Sequence, residues 1–190
     1  ARRALAQGIL RGTARLTICF ENGRTQDRIE SHNFAFQPAP VQVTELIQWV
    51  TENGTQLSDA HVLRVHVQPG LTPIHGDQVL LRVMLMNVFS NAFKYADAGT
   101  TVSLSVQRHG AWCRFTVEDE GPGIAQTERV LVFEKYRRGS AAEGKPGAGL
   151  GLALVQRIAH LHGGNAVLEP AQPQGTRCVM DISFYESALL

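Results

Sequence analysis

The pattern of hydrophobic and polar positions predicts its strongest element between residues 76 and 96. Apolar side chains recur there every three or four positions, at Leu81, Leu85, Val88 and Ala92. This spacing places them on one face of an α-helix. The segment therefore predicts a long amphipathic helix whose apolar face packs against a core.

The same periodicity predicts two more helices. Residues 43–54 predict one that ends at Gly54, and residues 150–164 predict another that two glycines terminate. The apolar side of the second consists of Leu150, Leu154, Ile158 and Leu161.

Alternation of apolar and polar positions predicts the strands. It occurs in residues 61–68, in two arms that flank His109-Gly110, and in two closing segments, 165–170 and 177–184. The two arms indicate a β-hairpin, and a proline-containing segment over 32–43 predicts a short edge strand and a linker. Strands in one sheet, with helices that can cover a single face, indicate an α+β two-layer sandwich with a mixed sheet.

Length and charge limit the possible organisation and partners. The 190 residues are enough for one domain with a core of its own, and the formal net charge is +1. Because positive and negative side chains nearly balance, the charge gives no electrostatic reason to expect nucleic acid or a membrane surface as a partner. We expect a long, imperfect helix over 1–31, a main domain over 32–187 and a tail over 188–190.

The spacing of the cysteines and the hydropathy of the chain indicate the cellular compartment. The three cysteines are far apart and in no CxxC spacing, which predicts neither a disulfide framework nor a zinc site. A reducing cytoplasm suits such a chain. No apolar run is long enough to span a bilayer, and we expect a chain that opens with Ala1 to be a piece of a longer protein, which could itself be membrane-anchored.

The segment 139–152, GSAAEGKPGAGLGL, is as rich in glycine as a phosphate-binding loop. Its first half has the spacing of a P-loop, but Pro146 stands where that motif needs a Ser or Thr hydroxyl. We therefore interpret that half as the unstructured tail of a lid over 126–146. Gly147, Gly149 and Gly151 open into a predicted helix, whose free N–H groups and dipole favour a polyphosphate. A flexible hinge is an equally good interpretation of these glycines alone.

Two other polar features could serve a nucleotide. Asn87, Asn91 and Lys94 share a stripe of the strongest predicted helix, where amide oxygens can bind Mg²⁺ and a lysine can bind phosphate. Solvated edge residues would show the same pattern. Asp119 precedes Gly121 in a segment typical of turns, yet its carboxylate can also accept a hydrogen bond from the amino group of a base.

Four segments in order make the chain resemble the ATP-binding catalytic domain of sensor histidine kinases. They are NVFSNAFKY as the N box, DEGPG as the first glycine box, FEKYRRG as the F box, and GAGLGLALVQRIAHLHGG as the second glycine box. The wider superfamily includes DNA gyrase, the ninety-kilodalton heat-shock chaperone and the mismatch-repair ATPases. Each box alone is a weak signal, whereas four at plausible separations are specific, and the resemblance covers nearly everything after residue 31.

The resemblance implies ATP and Mg²⁺ as ligands and a role for particular residues. Asp119 would select adenine, Tyr95 would lie against it, and Asn91 with Asn87 would hold Mg²⁺ and phosphates. The residues that it implies for the transfer itself are Asn87, Lys94 and Arg138. The other nucleotide-binding positions would be Gly121, Gly123 and Ile124 at the base, Gly147, Gly149, Leu150, Gly151 and Leu152 at the phosphates, and Phe133, Tyr136 and Arg137, with Arg138, in the lid.

The resemblance also implies partners. Residues 28–31, RIES, resemble the end of the second helix of the family's dimerisation and phosphoacceptor hairpin. The first helix is missing, and none of the seven histidines has the setting of a phosphoacceptor. The γ-phosphoryl would thus go to a histidine elsewhere in the same protein or in a dimer mate, with a response-regulator receiver domain as the next partner.

Two other functions stay open. A conformational ATPase of the chaperone or topoisomerase kind usually has a Glu four residues before the metal-binding Asn, where this sequence has Asn87. A non-catalytic interaction module would be favoured by loss of Asp119 or Asn91, and both are present.

Overall fold

The computed structural model describes residues 36–142, 144–145 and 147–185. The helix expected over 1–31 and the tail expected over 188–190 lie outside these residues. Every described helix and strand belongs to one compact unit, residues 38–190.

Five strands form the main sheet, in the order β2-β4-β5-β7-β6. Their bounds are Val62–Val67 for β2, Thr101–His109 for β4, Trp112–Glu118 for β5, Asn165–Pro170 for β6 and Thr176–Ser183 for β7. Strand β2 runs parallel to β4 and the other pairs are antiparallel, so the sheet is mixed, as predicted. Strands β4 and β5 form the predicted hairpin, which turns at Gly110 with φ 59°.

A separate two-stranded sheet consists of β1, Ala39–Val41, and β3, Ile74–Gly76. The predicted short edge strand is therefore present, but it pairs outside the main sheet. Strand β3 was not predicted, because three residues are too few to show a period. Ile74 is nevertheless fully buried and forms an isolated bridge with Phe184, which links the small sheet to the end of β7.

Three helices provide the second layer, α1 over Val43–Gly54, α2 over Gln78–Tyr95 and α3 over Gly151–Leu161. The predicted apolar face of α2 is buried at all four positions, Leu81, Leu85, Val88 and Ala92. Alternate residues of the central strands are buried as well, among them Leu104 and Phe115. Polar pairs such as Arg114 with Asp181, 2.8 Å apart, occupy intervening positions. The predicted α+β sandwich is confirmed.

Helix α3 ends in a cap formed by two glycines. The Gly163 amide donates to the His160 carbonyl at 3.0 Å, and the Gly164 amide donates to the Ala159 carbonyl at 2.9 Å. Gly163 has φ 71°, in the left-handed region that favours glycine. This pair of hydrogen bonds defines a Schellman motif, which confirms the predicted glycine stop.

The two capping glycines predict unequal costs for alanine. A Cβ at residue 164 would lie 1.6 Å from the Asp181 carbonyl oxygen, whereas one at residue 163 would meet nothing within 4 Å. We expect Gly164→Ala to lower the free energy of unfolding by about 3 kcal/mol because the backbone must shift. Gly163→Ala, the matched control, loses about 1 kcal/mol through its left-handed φ alone. Urea unfolding of both variants measures the difference, and equal losses would contradict this packing.

Candidate active site

Asn87 is held rigidly inside helix α2. Its side chain is 5% exposed, and its Nδ2 donates to the Val83 carbonyl at 2.9 Å. The amide oxygen Oδ1 faces the start of helix α3, since a Cβ on Gly151 would lie 3.1 Å from it. Asn91 belongs to the same contact, because its Nδ2 would lie 3.7 Å from that Cβ. The structure therefore brings together the two asparagines and the last glycine of the predicted loop.

Helix α3 begins without a side-chain cap. Leu150 occupies the N-cap position and makes no capping hydrogen bond, and the first turn has no acidic residue. Its first residues, Gly151 and Leu152, are half-buried. The N–H groups of an uncapped first turn keep their hydrogen-bonding capacity, and the helix dipole makes this end positive. The start of α3 is thus suited to an anion, directly beside Asn87 and Asn91.

The other two glycines of the loop make different contacts. A Cβ on Gly147 would lie 2.9 Å from Lys94 Nζ, so the lysine of the helical stripe reaches this loop. A Cβ on Gly149, where φ is 73°, would lie 2.7 Å from the Arg137 carbonyl oxygen. The Tyr136 amide donates to the Gly149 carbonyl at 3.0 Å. The loop therefore touches both α2 and the lid, which a free hinge would not do.

Asp119 lies at the end of β5 and is 9% exposed. Its Oδ1 accepts hydrogen bonds from the amides of Gly121, at 2.9 Å, and Thr176, at 3.2 Å. Burial raises the pKa of this carboxyl, and the two amide donors oppose the rise. A Cβ on Gly121 would lie 3.0 Å from the Tyr95 carbonyl oxygen, so the end of α2 approaches this carboxylate.

Two site residues were missed from the sequence, Gly175 and Thr176. A Cβ on Gly175 would lie 1.8 Å from the Asp119 carbonyl oxygen. A Cβ on Gly123 would lie 3.1 Å from the Gly175 carbonyl oxygen. These contacts bring the start of β7 against the end of β5, where the Thr176 amide binds Asp119. The Gly-Thr pair directly before the last predicted strand, 177–184, was the available signal, and no prediction was made for it.

The interpretation of residues 139–146 as an unstructured tail is wrong for part of the segment. Ser140–Ala142 forms a 3-10 turn. The Glu128 carboxylate accepts from the Ser140 amide and from its hydroxyl, both at 3.0 Å. Lys145, dismissed with the accidental P-loop, donates from Nζ to the Lys94 carbonyl at 2.6 Å and lies 5.1 Å from the centre of the Tyr95 ring. Lys94 Nζ lies 4.8 Å from the same ring.

The predicted lid residues have different surroundings. Phe133 is buried, at 8% exposure, whereas Tyr136 is 73% exposed and has φ 61°. Arg137 pairs with Glu134 at 3.1 Å on the surface. The Arg138 guanidinium donates to the carbonyls of Ala142 and Lys145, so its hydrogen bonds lie within the lid. A part for Arg138 in catalysis stays a prediction.

Among the described residues, no three His, Cys, Asp or Glu side chains form a metal-binding cluster. A divalent cation here would depend on the amide oxygens of Asn87 and Asn91 together with ligand phosphates. Ile124, predicted for the base pocket, is half-buried and accepts from Arg129 Nε at 3.0 Å through its carbonyl. Within the same part of the chain, no helix has both the length and the apolarity to cross a bilayer.

The raised pKa of Asp119 predicts a stability effect in the free protein. A folded-state pKa above the unfolded value means that the folded protein favours the protonated carboxyl, and that this advantage is lost as the pH rises through the folded pKa. Asn at this position is neutral and can still accept from both amides. We therefore expect Asp119→Asn to be at least as thermally stable as the wild type at pH 7, with its relative advantage shrinking as the pH falls toward about 4. The matched control is Asp59→Asn at an exposed site. A clearly lower melting temperature for Asp119→Asn at pH 7 would contradict the assigned environment.

Comparisons with known proteins identify relatives of this chain. Residues 76–186 match the family described as histidine kinase-, DNA gyrase B-, and HSP90-like ATPase. The sensor-type histidine kinase PrrB of Mycobacterium leprae (strain TN) is 37% identical over 173 residues, which are 84% of this chain and 38% of that protein. This chain therefore spans less than half the length of that relative.

Two solved structures are similar as well. The ATP-binding domain of PrrB from Mycobacterium tuberculosis is 30% identical, with a TM-score of 0.63 over 79% of this chain and 99% of that one. Full-length ShkA in complex with AMPPNP is 30% identical, with a TM-score of 0.71 over 82% of this chain and 33% of that one. With a matching family model over more than half of its length, this chain belongs to the family of histidine kinase-, DNA gyrase B- and HSP90-like ATPases.

Proposed function

We propose that this chain is the ATP-binding catalytic part of a sensor histidine kinase. It binds Mg-ATP and presents the γ-phosphoryl to a histidine on a phosphoacceptor hairpin. The observation that carries the proposal is the contact of Asn87 and Asn91 with the uncapped start of α3 at Gly151. Similarity to PrrB, named a sensor-type histidine kinase, and to the AMPPNP complex of ShkA supports it.

The adenine end of the site is formed by Asp119. Two backbone amides occupy its Oδ1, so its Oδ2 is the atom that accepts from the exocyclic amino group of the base. A guanine, with a carbonyl at that position, would leave the buried carboxylate facing an acceptor. Gly121 lets the chain pass close to this carboxylate, because a side chain there would collide with Asp119 Oδ1 and the Tyr95 carbonyl. Tyr95, whose carbonyl lies beside Gly121, is the last residue of α2.

The phosphate end of the site supplies positive charge from three sources. The first-turn N–H groups of α3 donate to phosphate oxygens, and the ammonium groups of Lys94 and Lys145 lie beside the loop and Tyr95. Mg²⁺, when bound, neutralises charge on the terminal phosphates. Asn87 and Asn91 offer it hard oxygen ligands, and the hydrogen bond from Asn87 Nδ2 to Val83 keeps Oδ1 turned toward the phosphates.

Catalysis in this arrangement consists of positioning and charge neutralisation. The acceptor imidazole attacks the γ-phosphorus, the bond from that phosphorus to the bridging oxygen breaks, and ADP leaves. The nitrogen that attacks is a nucleophile in its neutral form, so the chain need not provide a general base for water. Asn87 favours phosphoryl transfer over ATP hydrolysis as the function, because its amide cannot take a proton from water as a Glu carboxylate can.

The proposed partners follow from the same reaction. The phosphoacceptor hairpin belongs to the same protein or to a dimer mate, and a response-regulator receiver domain accepts the phosphoryl group from it. A kinase that consumes ATP works in the cytoplasm. The buried free thiols of Cys113 and Cys178 are compatible with that compartment.

Nucleotide binding is tested with Asp119→Asn. We expect Mg-ATP at about 100 times its Kd to stabilise the wild type by about 2.7 kcal/mol and the variant by almost nothing, since an amide NH₂ can replace the acceptor. Thermal unfolding with and without nucleotide measures both, and Asp59→Asn serves as the control that keeps full protection. Unchanged protection of Asp119→Asn would overturn the adenine assignment.

Phosphoryl transfer is tested by adding a phosphoacceptor hairpin in trans. We expect label from γ-labelled ATP to appear on the hairpin as acid-labile phosphohistidine. Asp119→Asn and Asn91→Ala should abolish the label, whereas Asp59→Asn should leave it unchanged. Steady phosphate release without the hairpin, and no label with it, would favour the conformational ATPase instead.

A further inference from the structure

Helices α2 and α3 meet a second time, at the end remote from Asn87. His162, the residue after α3, is 3% exposed. Its Nε2 lies 2.9 Å from the Asp77 amide nitrogen, and its Nδ1 lies 2.7 Å from the Ile158 carbonyl oxygen. A backbone amide can only donate and a carbonyl can only accept, so Nε2 is the acceptor and Nδ1 carries the proton. One neutral imidazole thus joins the last turn of α3 to the N-cap of α2.

The surroundings of the ring keep it neutral and tightly placed. Burial is the largest effect and lowers the pKa of His162, helped by the nearby His75, while the hydrogen bond to the Ile158 carbonyl and the Asp77 carboxylate act in the opposite direction. A Cβ on Gly76 would lie 2.7 Å from His162 Cδ2, so the ring rests directly against this backbone. Asp77 also caps α2 by accepting from the amides of Val79 and Leu80.

The contacts at Gly151 and at His162 lie at opposite ends of α3 and meet the middle and the start of α2, so the two helices run antiparallel. Helix α2 runs from Asp77 toward Asn87, while α3 runs from Gly151 toward His162. At a rise of 1.5 Å per residue, these stretches measure about 15 Å and about 17 Å. Because each helix is nearly rigid over so short a distance, fixing one end fixes the axial register at the other. A slide at His162 would move Gly151 away from Asn87 by a similar amount.

We propose that His162 is a positioning residue for the phosphate half of the nucleotide site. Through Asp77 it sets the register that keeps the first turn of α3 beside Asn87 and Asn91. This inference rests on the proposed function, because its effect is seen in nucleotide binding. It does not extend to the adenine half, where Asp119 is held by the amides of Gly121 and Thr176 rather than by the contact between α2 and α3.

A purely structural histidine and a positioning histidine predict different results. Loss of a structural residue lowers the folded fraction and therefore weakens the apparent binding of every ligand by the same factor. Loss of register weakens only those ligands that reach the α2–α3 contact. The ratio of the affinities for Mg-ATP and for AMP separates the two, because the folded fraction cancels from that ratio.

The experiment compares His162→Leu with His162→Gln by titration calorimetry. Leu cannot accept from the Asp77 amide, so we expect the affinity for Mg-ATP to fall about tenfold while the affinity for AMP stays within about twofold. Gln presents an amide oxygen that can accept from the Asp77 amide. We therefore expect the ratio of Mg-ATP affinity to AMP affinity in His162→Gln to stay within about threefold of the wild-type ratio. Gly76→Ala, whose Cβ would lie 2.7 Å from Cδ2 and 3.0 Å from Nε2 of the ring, should lower the ratio as His162→Leu does.

His160→Leu is the matched control on the same helix. His160 is exposed and bonds to Asn165 Oδ1 at 3.1 Å, away from α2, so its loss should leave the ratio unchanged. Equal losses of affinity for Mg-ATP and for AMP in His162→Leu, or no loss of affinity for either, would overturn the positioning role. Failure of the proposed function has a different signature, since the wild type would then bind no Mg-ATP or Asp119→Asn would bind it normally. Absence of Mg-ATP binding by the wild type would overturn the positioning role as well.

Discussion

The arrangement of this site depends on how closely the start of α3 approaches helix α2. Asn87 and residue 151 are so near that only a glycine leaves the amide oxygen uncovered. Leu150, at the N-cap position, has no polar side-chain atom that could cap the helix, so the positive end of α3 faces the asparagines rather than a neighbour of its own. Burial of Asn87 follows as well, and its hydrogen bond to the Val83 carbonyl prevents the amide from turning away. One close approach thus accounts for both the glycine and the buried amide.

The two halves of the proposed nucleotide site rest on different kinds of support. The phosphate half is built from helix ends, which provide dipoles and free amides without bringing a formal charge into the core. The adenine half needs a buried acceptor, and its carboxylate is tolerable there because two strand amides donate to one of its oxygens. Cys178 lies in the same strand pair, where burial and the nearby Asp119 raise the pKa of its thiol to about 12.

Local periodicity was enough to predict the three helices, the hairpin and the closing strands, because each is decided by neighbours a few positions away. It also placed Asn87, Asn91 and Lys94 on one stripe. The features that escaped prediction are contacts between distant parts of the chain. The Thr176 amide reaches Asp119 across 57 positions, and Glu128 holds Ser140 across 12. His162 carried no prediction of its own beyond its place in the last predicted helix, since nothing in its segment points to Asp77.

The hydrogen bond from the Tyr136 amide to the Gly149 carbonyl joins the lid to the phosphate loop. Tyr136 holds a left-handed backbone conformation there, which a non-glycine residue adopts at a cost of about 1–3 kcal/mol. Because the bond is shared, a ligand that orders the loop also changes the free energy of lid conformations. A protein surface that binds the exposed Tyr136 ring in one of those conformations therefore changes the affinity for nucleotide. By thermodynamic reciprocity, nucleotide changes the affinity of that surface by the same factor. In the proposed kinase, the lid would thus couple nucleotide binding to the binding of a protein partner at Tyr136.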